Sequence, residues 1–122
     1  MTPALHSIGK DQPLGVAHQL MKEHQLRHLP VLDQGKLIGV LSERDLYYLE
    51  SVAGVDVAVE HVEEGMSQDV YSTSPESSLE EVVLEMANQK YGSAVVVERG
   101  KAVGIFTTTD ALRLLATLLG DG

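Results

Sequence analysis

Apolar residues fall at helical spacing twice in this chain, at Leu14, Ala17, Leu20 and Met21 and again at Leu79, Val82, Val83 and Met86. Each set is followed by two apolar runs split by a turn. The first pair is His28–Leu32 and Leu37–Leu41 around Asp33-Gln34-Gly35-Lys36, and the second is Ser93–Val97 and Ala102–Phe106 around Glu98-Arg99-Gly100-Lys101. The glycine of each turn can supply the positive φ that a tight hairpin needs. Short extended pieces around His6–Ile8 and Tyr71–Thr73 precede the helices. Further helices, about Glu43–Val52 and Thr108–Leu119, close the pattern. The order is β-α-β-β-α, twice.

Sliding the chain by 65 positions, from Gly39 to Gly104, aligns the halves without a gap. The shift pairs Leu14 with Leu79, Met21 with Met86, Gly35-Lys36 with Gly100-Lys101 and Leu49 with Leu114. These are cap, turn and core positions, so the halves share a fold. The repeats run from 1 to 52 and from 66 to 122, with a linker over 53–65 that reads as a helix or an extended crossover. Pro13 suits the first helical position. Ser77 with Glu80 forms a capping box for the matching helix. Pro30 cannot donate to a ladder, so its strand has an edge or an irregularity there. Ser93–Val97 is nearly all Val and predicts a strand buried on both faces. The last helix is apolar almost all round, at Ala111, Leu112, Leu114, Leu115, Ala116, Leu118 and Leu119, so a partner chain is expected to cover one side.

The strongest chemical signal is also duplicated. Gly39-Val40-Leu41-Ser42-Glu43-Arg44-Asp45 and Gly104-Ile105-Phe106-Thr107-Thr108-Thr109-Asp110 both read glycine, two apolar residues, a hydroxyl, two variable residues and an aspartate. Ser42 and Thr107 suit a helix N-cap. Asp45 and Asp110 then fall at N3, which completes a capping box with Asp in place of Glu. A functional reading sits on that structural one. A helix N-terminus with a hydroxyl cap suits a phosphate, and a carboxylate one turn in can accept hydrogen bonds from ribose hydroxyls.

Composition narrows the classes. The 122 residues carry a formal net charge of −9 and contain no Cys. A disulfide framework and thiolate zinc sites are therefore excluded. The acidic balance argues against nucleic acid and anionic membrane as partners. No apolar run reaches the length of a membrane span, and no signal peptide is evident, so the cytoplasm is the expected location. His24 and His28 have a metal-ligand spacing, but the helix should end before Pro30, so no metal site is expected there. His6, His18 and His61 read as isolated surface residues. Ser42 and Asp45 share one cap and have no basic partner nearby, so no catalytic residues are assigned and an enzyme is not expected.

The whole chain resembles a tandem pair of CBS domains, a Bateman module. The resemblance is carried by Arg27-His28-Leu29-Pro30-Val31, the two Gly-x-x-[Ser/Thr]-x-x-Asp motifs, Gly92-Ser93-Ala94-Val95-Val96-Val97, Met66-Ser67 and Ser74-Pro75-Glu76. It implies an α/β (α+β) fold of two β-α-β-β-α repeats packed through their sheets about a pseudo-twofold axis, with two clefts between the repeats. It also implies an adenosine-containing regulatory ligand (AMP, ADP, ATP or S-adenosylmethionine), a homodimer formed through the helices, and regulation of an attached or partner enzyme or transporter. Carried over by position, Asp45 and Asp110 would bind ribose, and Ser42 and Thr107 would contact phosphate or ribose. Ser7 and Ser72 would lie near the adenine. His28 takes the place of a basic phosphate contact, with Arg44 beside it. The second repeat departs from this pattern, with Ser93 and Thr109 at those two places. The expected function is an adenine-nucleotide-sensing regulatory module. The alternative is a ligand-free dimerisation or interaction module in which the caps are purely structural.

Overall fold

A computed structural model describes residues 2–3 and 6–120. The repeat ends drawn at residues 1 and 122 lie outside the described residues. The chain divides into two compact units. One is His6–Val70, and the other joins the N-terminal strand to Tyr71 and all that follows. The linker read as 53–65 thus stays with the first unit.

In the first unit Ile8–Gly9 (β2) pairs in parallel with His28–Asp33 (β3), which pairs antiparallel with Lys36–Ser42 (β4). Leu14–His24 (α1) and Glu43–Ser51 (α2) cover the sheet. Ile8, Leu14, Ala17, Met21, Leu29, Val31, Leu41, Leu46 and Val62 form one buried cluster. In the other unit Thr2–Pro3 (β1), Lys101–Thr107 (β7), Ser93–Glu98 (β6) and Ser72–Thr73 (β5) lie side by side in that order. Leu79–Gln89 (α3) and Thr108–Gly120 (α4) complete it. Its core cluster is Val82, Met86, Ala94 and Phe106.

The strand β1 pairs Thr2 with Ile105, and Ser67 bridges to Val40 on β4. These are equivalent positions of the repeat. The segment that opens each repeat therefore lines the last strand of the other repeat's sheet, which a boundary drawn by sequence periodicity alone cannot show. Gly39 is fixed by this exchange. A Cβ there would lie 2.9 Å from the Ser67 carbonyl oxygen and 2.5 Å from Met66 Sδ.

Both hairpins close on two residues with positive φ, Gln34 (52°) with Gly35 (82°) and Arg99 (53°) with Gly100 (78°). That is the type I′ geometry whose twist matches the strands. Pro30 sits opposite Val40, whose amide and carbonyl both bond Ser67 instead of β3. The missing proline N–H therefore costs no rung to β4; the register shift between Val31 and Leu32 recurs between Val96 and Val97, beside Val95, so it belongs to the repeat and not to Pro30.

Three local expectations need correction. Pro13 is the N-cap of α1 in extended conformation, not its first helical residue. It has no hydroxyl, and the linker supplies the missing acceptors: the Leu14 amide donates to the Glu60 carbonyl and the Gly15 amide to the Val57 carbonyl, both at 2.9 Å. This use of its backbone also keeps the linker from being a helix or a crossover strand, and it forms turns and a short 3-10 segment, Val62–Glu64. In α3 the cap is Ser78, which accepts from the Glu81 amide at 3.1 Å. Ser77 instead accepts a hydrogen bond from Thr73 Oγ1 at 2.7 Å, so the cap falls one residue later than the Ser77/Glu80 pattern predicts.

Candidate ligand site

Two chemically matched corners form where β4 runs into α2 and β7 runs into α4. Ser42 Oγ accepts from the Asp45 amide at 3.0 Å, and Asp45 Oδ2 accepts from the Ser42 amide at 3.0 Å. Thr107 Oγ1 accepts from the Asp110 amide at 3.2 Å, and Asp110 Oδ2 accepts from the Thr107 amide at 2.9 Å. Both capping boxes expected from the sequence are present.

A helix opens with four amides that have no intrahelical partner. The box uses those of the cap and N3. The N1 amide is used too, since Glu43 donates to the Arg27 carbonyl at 2.8 Å and Thr108 to the Gly92 carbonyl at 3.1 Å. The donor these contacts leave over is N2, the amide of Arg44 or Thr109. Each aspartate has spent only one oxygen on its cap, and the second retains its acceptor capacity. Each corner thus offers one anion-facing amide and one carboxylate oxygen suited to hydroxyls.

The first corner has one group more. His28 stands directly across from Ser42 in the β3–β4 register. Its Nδ1 is buried with no hydrogen-bond partner. Burial pushes the His28 pKa below the ordinary histidine value, and Arg27 pushes the same way. The Asp45 carboxylate, then Glu43, oppose them without prevailing. The ring is therefore neutral near pH 7 and offers a neutral N–H or lone pair where the resemblance implies a cation. A buried polar atom without a partner is uncommon in folded proteins. In the second corner Ser93 takes this register position, opposite Thr107.

The other candidates are spread more widely. Arg44 is exposed on the first turn of α2. Ser7 is exposed one residue before β2, and Ser72 is exposed in β5 opposite Val95. Ser7 is separated from the first corner by β3, and Ser72 from the second by β6. The structure thus brings His28, Ser42 and Asp45 together at one corner, with Arg44 on the same helix turn, and Thr107 and Asp110 at the other; Ser7 and Ser72 lie apart from them, across a strand.

His24 ends α1 and stacks on His6 at 3.8 Å between ring centroids, while His28 lies in β3. The pair spaced by four residues is therefore split between elements. Sequence reading missed a different grouping, in which Asp11, His61 and Glu63 converge. Residues so far apart in sequence carry no shared periodicity, so only the folded linker reveals them. Among the described residues no helix is long and apolar enough to cross a membrane.

Comparison with known proteins agrees with this architecture. The CBS domain family matches residues 1–50 and 59–117. The CBS domain-containing protein YhcV of Bacillus subtilis is 32% identical over 110 residues, covering 90% of this chain and 78% of its own length. The AcuB protein of Vibrio cholerae superposes with a TM-score of 0.83 at 31% identity, over 98% of this chain and 89% of that one. The CBS domain pair of protein MJ0100, solved with 5′-methylthioadenosine and S-adenosyl-L-methionine, superposes with a TM-score of 0.80 at 23% identity, over 92% and 89% of the two chains, and attests the fold. Two matched regions, a duplicated capping motif and these superpositions lead to one assignment: the chain belongs to the CBS domain family, as a tandem CBS pair.

Proposed function

We propose that this CBS pair is a regulatory module that binds an adenosine-containing ligand (AMP, ADP, ATP or S-adenosylmethionine) at its capped corners and modulates a partner enzyme or transporter in the cytoplasm. The observation that carries this reading is the orphaned, buried His28 Nδ1 directly across from the Ser42–Asp45 cap. A purely structural cap would not need an unpartnered ring nitrogen beside it. Asp45 would accept from a ribose, and the Arg44 amide and the His28 ring would face a phosphate. That a CBS pair of the same fold carries methylthioadenosine and S-adenosylmethionine supports the ligand class.

Ser93 and Thr109 leave the second corner without an imidazole or a guanidinium. It would stay empty or take a ligand of less negative charge, such as adenosine or S-adenosylmethionine.

One observation favours the second reading, an interaction module without a ligand. The helix α4 has no buried residue, and Leu112, Leu115, Leu118 and Leu119 are exposed. A melting-temperature screen against adenine ligands separates the two readings. A ligand that binds only the native state stabilises it by about 2.7 kcal/mol at one hundred times its Kd. A rise with AMP or S-adenosylmethionine but none with guanosine monophosphate supports the sensing module, and no rise with any adenine ligand supports the interaction module.

A further inference from the structure

Asp11, His61 and Glu63 each bring one ligand atom into a group whose members all lie within 4.8 Å of one another. The grouping is built by the backbone. The Val62 amide donates to the Gln12 carbonyl at 2.8 Å, and the Glu63 amide donates to the Lys10 carbonyl at 3.1 Å. These rungs straddle Asp11. Pro13 and His61 form a bridge at one end, and Val62, between the two linker ligands, is fully buried in the core of the first unit. Asp11 and His61 are exposed, and Glu63 is half-buried, so the three side chains can turn to meet an ion.

We infer that Asp11, His61 and Glu63 form a divalent transition-metal site, with zinc the best fit, that fastens the linker to the start of α1. One imidazole and two carboxylates are a borderline donor set suited to zinc and its neighbours, while magnesium and calcium favour all-oxygen shells. Zinc bonds of about 2.0–2.2 Å place tetrahedral ligand atoms roughly 3.4 Å apart. Side-chain rotation at two exposed positions covers the difference. Three protein ligands leave a coordination position for water or for a ligand from elsewhere. The site lies outside the capped corners and does not rest on their ligand.

Lys10 is the built-in competitor. Its Nζ lies 3.7 Å from Glu63 Oε2 and 3.7 Å from Asp33 Oδ2. Without a metal the ammonium neutralises part of the carboxylate charge. With the metal bound, Lys10 can remain on Asp33.

Calorimetric titration of the full chain with zinc chloride tests the site. The expected result is one ion per chain, with His61→Gln and Asp11→Asn each weakening binding at least about tenfold. Lys10→Met should tighten binding, because it removes the competing cation. His24→Gln, outside the group, should leave binding unchanged. Melting in EDTA confirms that each variant is folded, and cobalt absorption reports the ligand set independently. Zinc affinity unchanged in both His61→Gln and Asp11→Asn, loss of binding in His24→Gln, or equal binding of magnesium would each overturn the assignment.

Discussion

Asp45 does two jobs on one side chain. Its Oδ2 closes the capping box with the Ser42 amide, and its other oxygen is the proposed ribose acceptor. Asp45→Asn keeps an acceptor for the cap but removes the charge. AMP binding should weaken by about 1.5–3 kcal/mol, the range for hydrogen bonds to charged groups, with the melting temperature within a few degrees of the parent. Unchanged AMP affinity by calorimetry would take Asp45 out of the site. His28 adds a pH dependence. Its folded pKa is depressed, chiefly by burial, so below about pH 6.5, the ordinary histidine value, the unfolded chain takes up a proton first. Its contribution to stability is then full above the unfolded pKa and is lost as pH falls through the folded one. Urea unfolding at pH 7.5 and 5.5 should show a smaller loss on acidification in His28→Gln than in the parent; equal losses would mean that burial of His28 carries no such cost. The hydroxyl and aspartate of each cap were legible in the sequence, because a capping box is a local, four-residue device. The neutrality of His28 was not legible, since desolvation depends on how β3 and β4 cover the ring.

Elements were legible where their signals are local and less so where the chain borrows partners from afar. Strand and helix positions followed from periodicity, and the hairpins from their glycines. The turn geometry suggests an improvement. Gln34 holds a φ of 52°, a conformation that Asn adopts at lower cost in a type I′ turn. Gln34→Asn should stabilise the chain by about 0.5–1 kcal/mol, within the range of single turn and cap optimisations. A lower unfolding midpoint in denaturant would contradict that reading of the turn. The cap of α1 was illegible because its acceptors are the Val57 and Glu60 carbonyls, over forty positions away. Gly39 likewise stands in the sequence only as the first residue of its motif, and its need comes from the passage of Met66 and Ser67. Gly39→Ala should cost about 1–3 kcal/mol by overpacking, whereas Gly9→Ala, with only Gln12 Cγ near at 3.9 Å, should cost less. Comparable losses in the two variants would remove the exchange of opening segments as the reason for Gly39.

At the scale of the whole molecule, α4 is the unfinished surface. Leu115 is 50% exposed and Leu118 65%. On α2, Tyr47 is exposed at 70% while Leu46 is buried. We propose that a second copy of the chain covers the exposed leucines, giving a homodimer. Leu115→Glu should then shift sedimentation at micromolar concentration from dimer to monomer, because an unpaired charge is costly to bury; a parent that sediments as a monomer would contradict the proposal. The apolar, nearly all-round pattern of α4 announced this surface in sequence, since a helix with no polar face needs more than one covering layer. The choice of ligand is carried by far fewer residues. On a chain of net charge −9, the Arg44 guanidinium, with the His28 ring beside it, should decide where a phosphate settles. Calorimetry with AMP on the parent, Asp45→Ala and Asp110→Ala tests this most directly. The account predicts that Asp45→Ala abolishes or strongly weakens AMP binding while Asp110→Ala leaves it nearly intact. Equal damage from both substitutions, damage from Asp110→Ala alone, or no AMP binding by the parent would contradict it.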